Sequence, residues 1–370
     1  MSIFLNASAK AALAAYDAQA TRRSIPLSSA VTYGNGGDDI DLPHAGVPNG
    51  LIVTFSGSLA VTNGSNVGTV TASPYWPFNI MGPSTLADYA GNSRVFADGF
   101  RLYQRDLLIQ NAEDMKTPYS TEAYSSSIYK ATIPSGVANA TVSAPVNFSV
   151  WVPISLHSNS ALGSYAATVP KGTAQFQLKE STLTGPYINS PLTVSGSAKV
   201  ALTGKWNIEY VYMDAPSNVP LPLQALAMIH EYYQSNVNTK QITAGGTPEE
   251  VLLTGREYYR CIMNLVTNNE DIMMNSDPPL ANIQFLVDSS TPTVDWSLAS
   301  YLWLNRREFG RDFPFILYNF FSAPWSPNAY GSLTQKLVLT NSITQGSYQQ
   351  LVNTRETLYL PSGNLVKAGG

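Results

Sequence analysis

Apolar and polar residues alternate over much of this chain, and the places where the alternation stops divide it into parts. Leu51-Ile52-Val53-Thr54-Phe55 opens a strand-like run that continues to Val61-Thr62. Asn63-Gly64 then predicts a hairpin turn before Val67 to Val70. Val142 to Ile154 places Val146, Phe148, Val150 and Val152 on one face. Gln175 to Leu178 and Trp206 to Tyr212 alternate in the same way. One apolar and one polar face per strand is the pattern of antiparallel sheets. Between Ile25 and Asp214 the one convincing helix is Gly99 to Gln110 (GFRLYQRDLLIQ).

Asp214 to Pro222 (DAPSNVPLP) reads as a linker. Beyond it the plan repeats. Leu223 to Tyr233 is apolar, and its pattern does not decide between helix and strand. Glu250 to Val266 and Asn282 to Val287 predict strands, Asp295 to Phe309 predicts a helix, and Phe313 to Phe320, Leu333 to Leu339 and Thr357 to Leu360 predict strands again. The two helices share a pattern, Phe100-Arg101-Leu102-Tyr103-Gln104-Arg105 against Tyr301-Leu302-Trp303-Leu304-Asn305-Arg306. The reading is therefore all-β, two tandem antiparallel sandwiches over residues 25–214 and 223–370, joined by 215–222 and preceded by an arm, 1–24.

The arm differs from the rest. Ala7 to Arg23 (ASAKAALAAYDAQATRR) is Ala-rich and predicts a helix capped by Ser8, with Arg22 and Arg23 at its C-terminal end. Leu13, Tyr16 and Ala20 fall on one face. Such a helix either packs under its own domain or meets a membrane or a neighbouring subunit, with Lys10, Arg22 and Arg23 supplying attraction to anionic lipid.

Composition narrows the function. Charged residues are only 12% of the 370, and Tyr is abundant at 21. Sparse charge with many aromatics suits a β-protein whose surface is largely covered by neighbours. The net charge of −4 gives no basic excess for direct nucleic-acid binding. The single cysteine, Cys261, lies in the apolar run Tyr258 to Val266, so it predicts a buried, inert thiol and no intrachain disulfide. Met1 to Leu5 is too short for an apolar signal core, and no apolar run reaches the ~20 residues that span a bilayer, so a soluble protein made in a cytoplasm is expected.

Signals for catalysis are weak. His44, His157 and His230 are scattered, and His230-Glu231 continues without the second histidine of a zinc-protease helix. Gly34-Asn35-Gly36-Gly37 is followed by no helix pattern, which argues against phosphate binding. Asp38, Asp39 and Asp41 cluster in what reads as a loop, and they either hold a calcium ion or form a solvated acidic turn. No enzyme and no cofactor is expected.

Several stretches resemble one family. Asp295-Trp296 through Arg306-Arg307, leading into Asp312-Phe313-Pro314, is similar to the Trp-bearing helix, arginine run and Asp-Phe-Pro of tectivirus major capsid proteins, which enclose an internal membrane in tailless icosahedral phages. Phe148-Ser149-Val150-Trp151-Val152-Pro153, Val47 to Val53, Leu351-Val352-Asn353 and the Ala-rich basic N-terminal helix resemble that family in the same order. The resemblance implies two eight-stranded jelly rolls, each with a helix in a central loop, standing perpendicular to a capsid surface. It further implies pseudo-hexagonal homotrimers tiling an icosahedral shell, minor capsid and vertex proteins as partners, and an N-terminal arm toward the viral membrane. Trp296, Trp303, Arg306, Arg307 and Arg311 are the expected subunit or inter-domain contacts, with the arginines meeting carboxylates of an adjacent jelly roll or simply ending a helix dipole. Two other classes fit a β-rich, aromatic chain: a carbohydrate-binding or carbohydrate-active sandwich, and a viral spike or receptor-binding protein.

Overall fold

The structure is a computed structural model. It describes residues 5–361 except 28–29, 110–129, 168–171, 187, 239–245, 268–269, 272–277, 288–290, 311–312, 314, 321–323, 327–331 and 341–348. The chain forms two compact units, one of Ala7–Leu226 and one of Ala227–Gly370 together with Met1–Asn6.

The first unit opens with helix α1 (Ala7–Gln19) and continues through strands β1 (Thr21–Pro26), β2 (Val31–Thr32), β3 (Gly37–Asp41), β4 (Val47–Thr62), β5 (Thr69–Ala72), β6 (Ser84–Ala87) and β7 (Ser93–Ala97). Helix α2 (Gly99–Ile109) follows, then β8 (Lys130–Ala131), β9 (Thr141–Pro153), β10 (Gln175–Lys179), β11 (Leu192–Ser195), β12 (Lys199–Asp214) and the short helix α3 (Leu223–Leu226). One sheet runs β1-β12-β4-β9 and another runs β3-β10-β6-β7. Short β2 and β8 extend the first sheet, and β5 pairs with β11 as a separate ribbon.

The second unit contains β13 (Ile229–Asn238), β14 (Glu249–Leu252), β15 (Arg256–Thr267), β16 (Glu270–Asp271), β17 (Leu280–Val287), β18 (Thr291–Ser297), helix α4 (Leu298–Phe309), β19 (Ile316–Asn319), β20 (Leu333–Leu339) and β21 (Gln349–Tyr359). Its sheets run β13-β21-β15-β19 and β14-β20-β17-β18. Setting aside the short additions, each unit repeats one order. The first principal strand neighbours the last, the second neighbours the next-to-last, and the helix falls between the fifth and the sixth. That is a jelly roll, a Greek-key wrap of two four-stranded sheets.

Alternation explains where the cores lie. Along β12, Trp206, Ile208 and Tyr210 are buried while Lys205, Asn207 and Glu209 face outward. Phe55, Phe148 and Trp206 meet at the centre of the first jelly roll, with ring centroids 4.8–5.7 Å apart. The Phe55 ring also covers the facing glycines Gly57 and Gly204, where a side chain of either would collide with it. The second core joins Tyr258, Cys261, Met263 and Leu265 of β15 to Ile283 and Phe285 of β17 and Leu333, Leu337 and Leu339 of β20. Each large apolar side chain so buried contributes roughly 1.5–3 kcal/mol.

Four local expectations need correction. The Asn63-Gly64 hairpin does not form: β4 pairs with β12 and β9, and Val70 pairs with Val194 on β11. Instead the Asn63 side chain accepts from the Gly68 backbone at 2.8 Å and shapes a longer loop. Helix α1 begins before Ser8 and ends at Gln19, because Arg22 and Arg23 are drawn into β1 opposite Met213 and Tyr212. Asp295 and Trp296 lie on β18, paired with Gln284 and Ile283, so the helix begins only at Leu298 after the Ser297 cap. Asp38, Asp39 and Asp41 lie on strand β3, not in a loop.

Candidate functional site

Helix α4 carries Trp303, Arg306 and Arg307, three of the five residues expected at subunit or inter-domain contacts. Ser297 caps it by accepting from the Ser300 backbone at 3.2 Å, and Gly310 ends it at φ 74°, a left-handed conformation that suits glycine. Tyr301 anchors its inner face: the buried hydroxyl donates to the Phe315 carbonyl at 2.7 Å and accepts from the Leu317 backbone at 2.8 Å. Trp296, half-buried on β18, stacks on Tyr318 and packs on the second core. Trp303 points the other way. It is 58% exposed, and of the six tryptophans it is the only exposed one. The Arg307 guanidinium lies 5.4 Å from the Trp303 ring centroid, a cation–π contact. Arg306 is exposed in the same last turn, and Arg311 lies outside the described residues.

The arm residues pack within their own unit, the first of the two readings open to them. Tyr16 of α1 is buried with Val47, Ala161, Met213 and Val219, and Leu13 and Ala20 pack alongside, as their common face predicted. The Asp17 carboxylate accepts from the Ala161 backbone at 2.9 Å, and its burial raises its pKa. Arg22 lies over the Trp151 ring and donates to the Ser158 carbonyl, while Arg23 pairs with Asp214 at 3.3 Å. Lys10 is half-exposed on the helix. The structure therefore ties α1 to its own jelly roll.

The chemical candidates stay apart. Asp38, Asp39 and Asp41 are exposed along β3. Among the described residues no group of three His, Cys, Asp or Glu side chains is placed to hold a metal ion. His44 hydrogen-bonds the Ala167 carbonyl, and His157 is exposed. Cys261 is fully buried, which pushes its thiol pKa up and keeps it protonated. No helix among the described residues is long and apolar enough to cross a membrane.

The second unit also holds a buried polar layer that no sequence pattern marks. Glu356, on β21 between Tyr232 and Arg260, is wholly buried. One carboxylate oxygen lies 3.0 Å from His230 Nε2 and the other pairs with Arg260. Glu231 pairs with Arg256 nearby, and Glu250 with Arg355 at 3.6 Å. The stretch Asn353-Thr354-Arg355-Glu356-Thr357 has the composition of a surface, and only its register in the middle of a sheet reveals otherwise.

No protein-family model and no curated protein matches the chain. Solved structures do. The crystal structure of the STIV major capsid protein superposes with a TM-score of 0.66 at 14% identity, covering 94% of this chain and 100% of that one. This chain is a double jelly roll. The atomic structure of Sulfolobus turreted icosahedral virus matches the double jelly roll at 0.63 and 14% identity, over 92% of this chain and 91% of that chain. The PBCV-1 virus capsid matches at 0.55 and 11% identity, over 92% and 94%. In every case the likeness includes both jelly rolls.

Proposed function

We propose that this chain is a major capsid protein and that its role is structural, not enzymatic. The observation that carries the reading is the superposition on the STIV major capsid protein over the full length of that chain, both jelly rolls included. The internal repeat supports the oligomer: two jelly rolls of one strand order per chain give six per homotrimer, the makings of a pseudo-hexagonal tile. Such tiles pack into an icosahedral lattice. Electron microscopy of the purified protein tests this: class averages with a six-lobed outline support the tile, and averages of isolated two-lobed particles overturn it.

The lattice encloses a membrane in this reading. Lys10 is then the basic group of the arm that faces lipid, because Arg22 and Arg23 are engaged by Trp151, Ser158 and Asp214. Flotation with anionic liposomes should fall about fivefold for Lys10→Gln, in line with roughly 1 kcal/mol per basic group at the surface. Equal flotation would remove the lipid-facing role.

A further inference from the structure

Helices α2 and α4 occupy the same place in the two repeats, yet they meet different fates. On α2, Arg101, Gln104 and Arg105 are all buried, at 1% exposure or less. On α4, Ala299, Ser300, Trp303 and Arg307 are exposed, and the first three line a shallow depression with Leu304. Tryptophan and arginine are among the residues most enriched at the energetic centres of protein interfaces. Among the described residues no carboxylate pairs with Arg307.

The complementary surface is on the same chain. Strand β3 is the last strand of its sheet, hydrogen-bonded to β10. It exposes Asp38, Asp39 and Asp41, none of which forms an ion pair among the described residues. Asp39 and Asp41 stand on one side of the strand, two residues apart. An outermost strand that carries charge is a surface kept from indiscriminate pairing and open to a cationic partner.

We infer that the exposed face of α4 seats on the β3 edge of a second copy of this chain, with Trp303 filling the contact and Arg307 meeting Asp39 and Asp41. The two surfaces are unlike and lie in different jelly rolls, so the contact is head-to-tail, and the three-fold axis of a homotrimer is what closes it into a ring. The inference rests on the homotrimer reading and specifies one of its interfaces.

Charge reversal tests it. Arg307→Glu, Asp39→Lys with Asp41→Lys, and all three together change only exposed side chains, and circular dichroism verifies that each variant is folded. Mass photometry across a dilution series should show trimer dissociation raised about tenfold by either reversal and largely restored when the two are combined. A wild-type dilution curve for either reversal, or no restoration in the combination, overturns the inference while leaving the capsid reading standing. As a second measurement, Arg307→Cys combined with Asp39→Cys should form a disulfide between chains on oxidation, since Cys261 is buried and does not compete. Absence of cross-linked chains in a protein of trimeric mass also overturns it. A wild-type chain that is monomeric at every concentration removes the capsid reading itself, and this inference with it.

Discussion

The buried layer of the second jelly roll makes a quantitative test possible at Glu356. Replacing it with Gln keeps the shape but removes the negative charge that pairs with both His230 and Arg260. Glu356 has no solvent exposure and the Arg260 side chain has 10%, so water can compensate little. Breaking a buried ion pair by removing one partner destabilises by about 3–5 kcal/mol. The amide retains one acceptor oxygen, which brings the expected loss to the lower end, about 3 kcal/mol. For a unit of this size such a loss lowers the melting temperature by roughly 6–12 °C. Differential scanning calorimetry at neutral pH would measure it. Glu356→Leu alone should be at least as damaging, and Glu356→Leu with Arg260→Leu should recover much of the loss, because two charges are then removed together. A melting temperature for Glu356→Gln within about 1 °C of wild type would refute the argument that this layer is a buried, mutually compensating network.

Other consequences are open to simpler measurement. Burial pushes Tyr16, Tyr33 and Tyr258 up to about 12 from the ordinary 10.0, so the unfolded chain ionises first as pH rises. Their contribution to stability is complete below about pH 10 and is lost between about 10 and 12; a urea midpoint that stays constant from pH 8 to 11 would contradict this. Cys261 should resist thiol reagents at neutral pH until the protein unfolds, and rapid labelling of the native protein would show the site to be open. Gly204→Ala should destabilise by about 1–3 kcal/mol, because its added methyl would strike the Phe55 ring and the Ser56 carbonyl, and an unchanged denaturation midpoint would show that the ring can move aside.

Much of the fold was legible because the burial period of its strands is two. Runs such as Val146 to Val152 and Trp206 to Tyr212 declare their inner face residue by residue, and α2 declares itself by the loss of that period. Tyr16, with Leu13 and Ala20, marked the inner face of α1 correctly. What failed is what depends on distant partners. Asn63-Gly64 looks like a hairpin turn, but Val70 finds its partner Val194 more than a hundred residues onward. Arg22 and Arg23 read as the end of a helix until β12 recruits them. Trp296 read as helical because the pairing of Gln284 with Asp295 cannot be inferred from either segment alone. Glu356 was missed because a polar stretch in the middle of a sheet looks like a polar stretch at a surface. In the candidate site, the resemblance pointed to Trp296 and Trp303 alike, and only the fold separates the exposed Trp303 from Trp296, which packs on the core.

Whether this double jelly roll builds a shell through a trimer is decided by its solution mass, measured by light scattering. A trimer gives one species of about 120 kDa, three times the 40.0 kDa chain, that persists on dilution as large subunit interfaces do. A species of 40.0 kDa at all concentrations would contradict it.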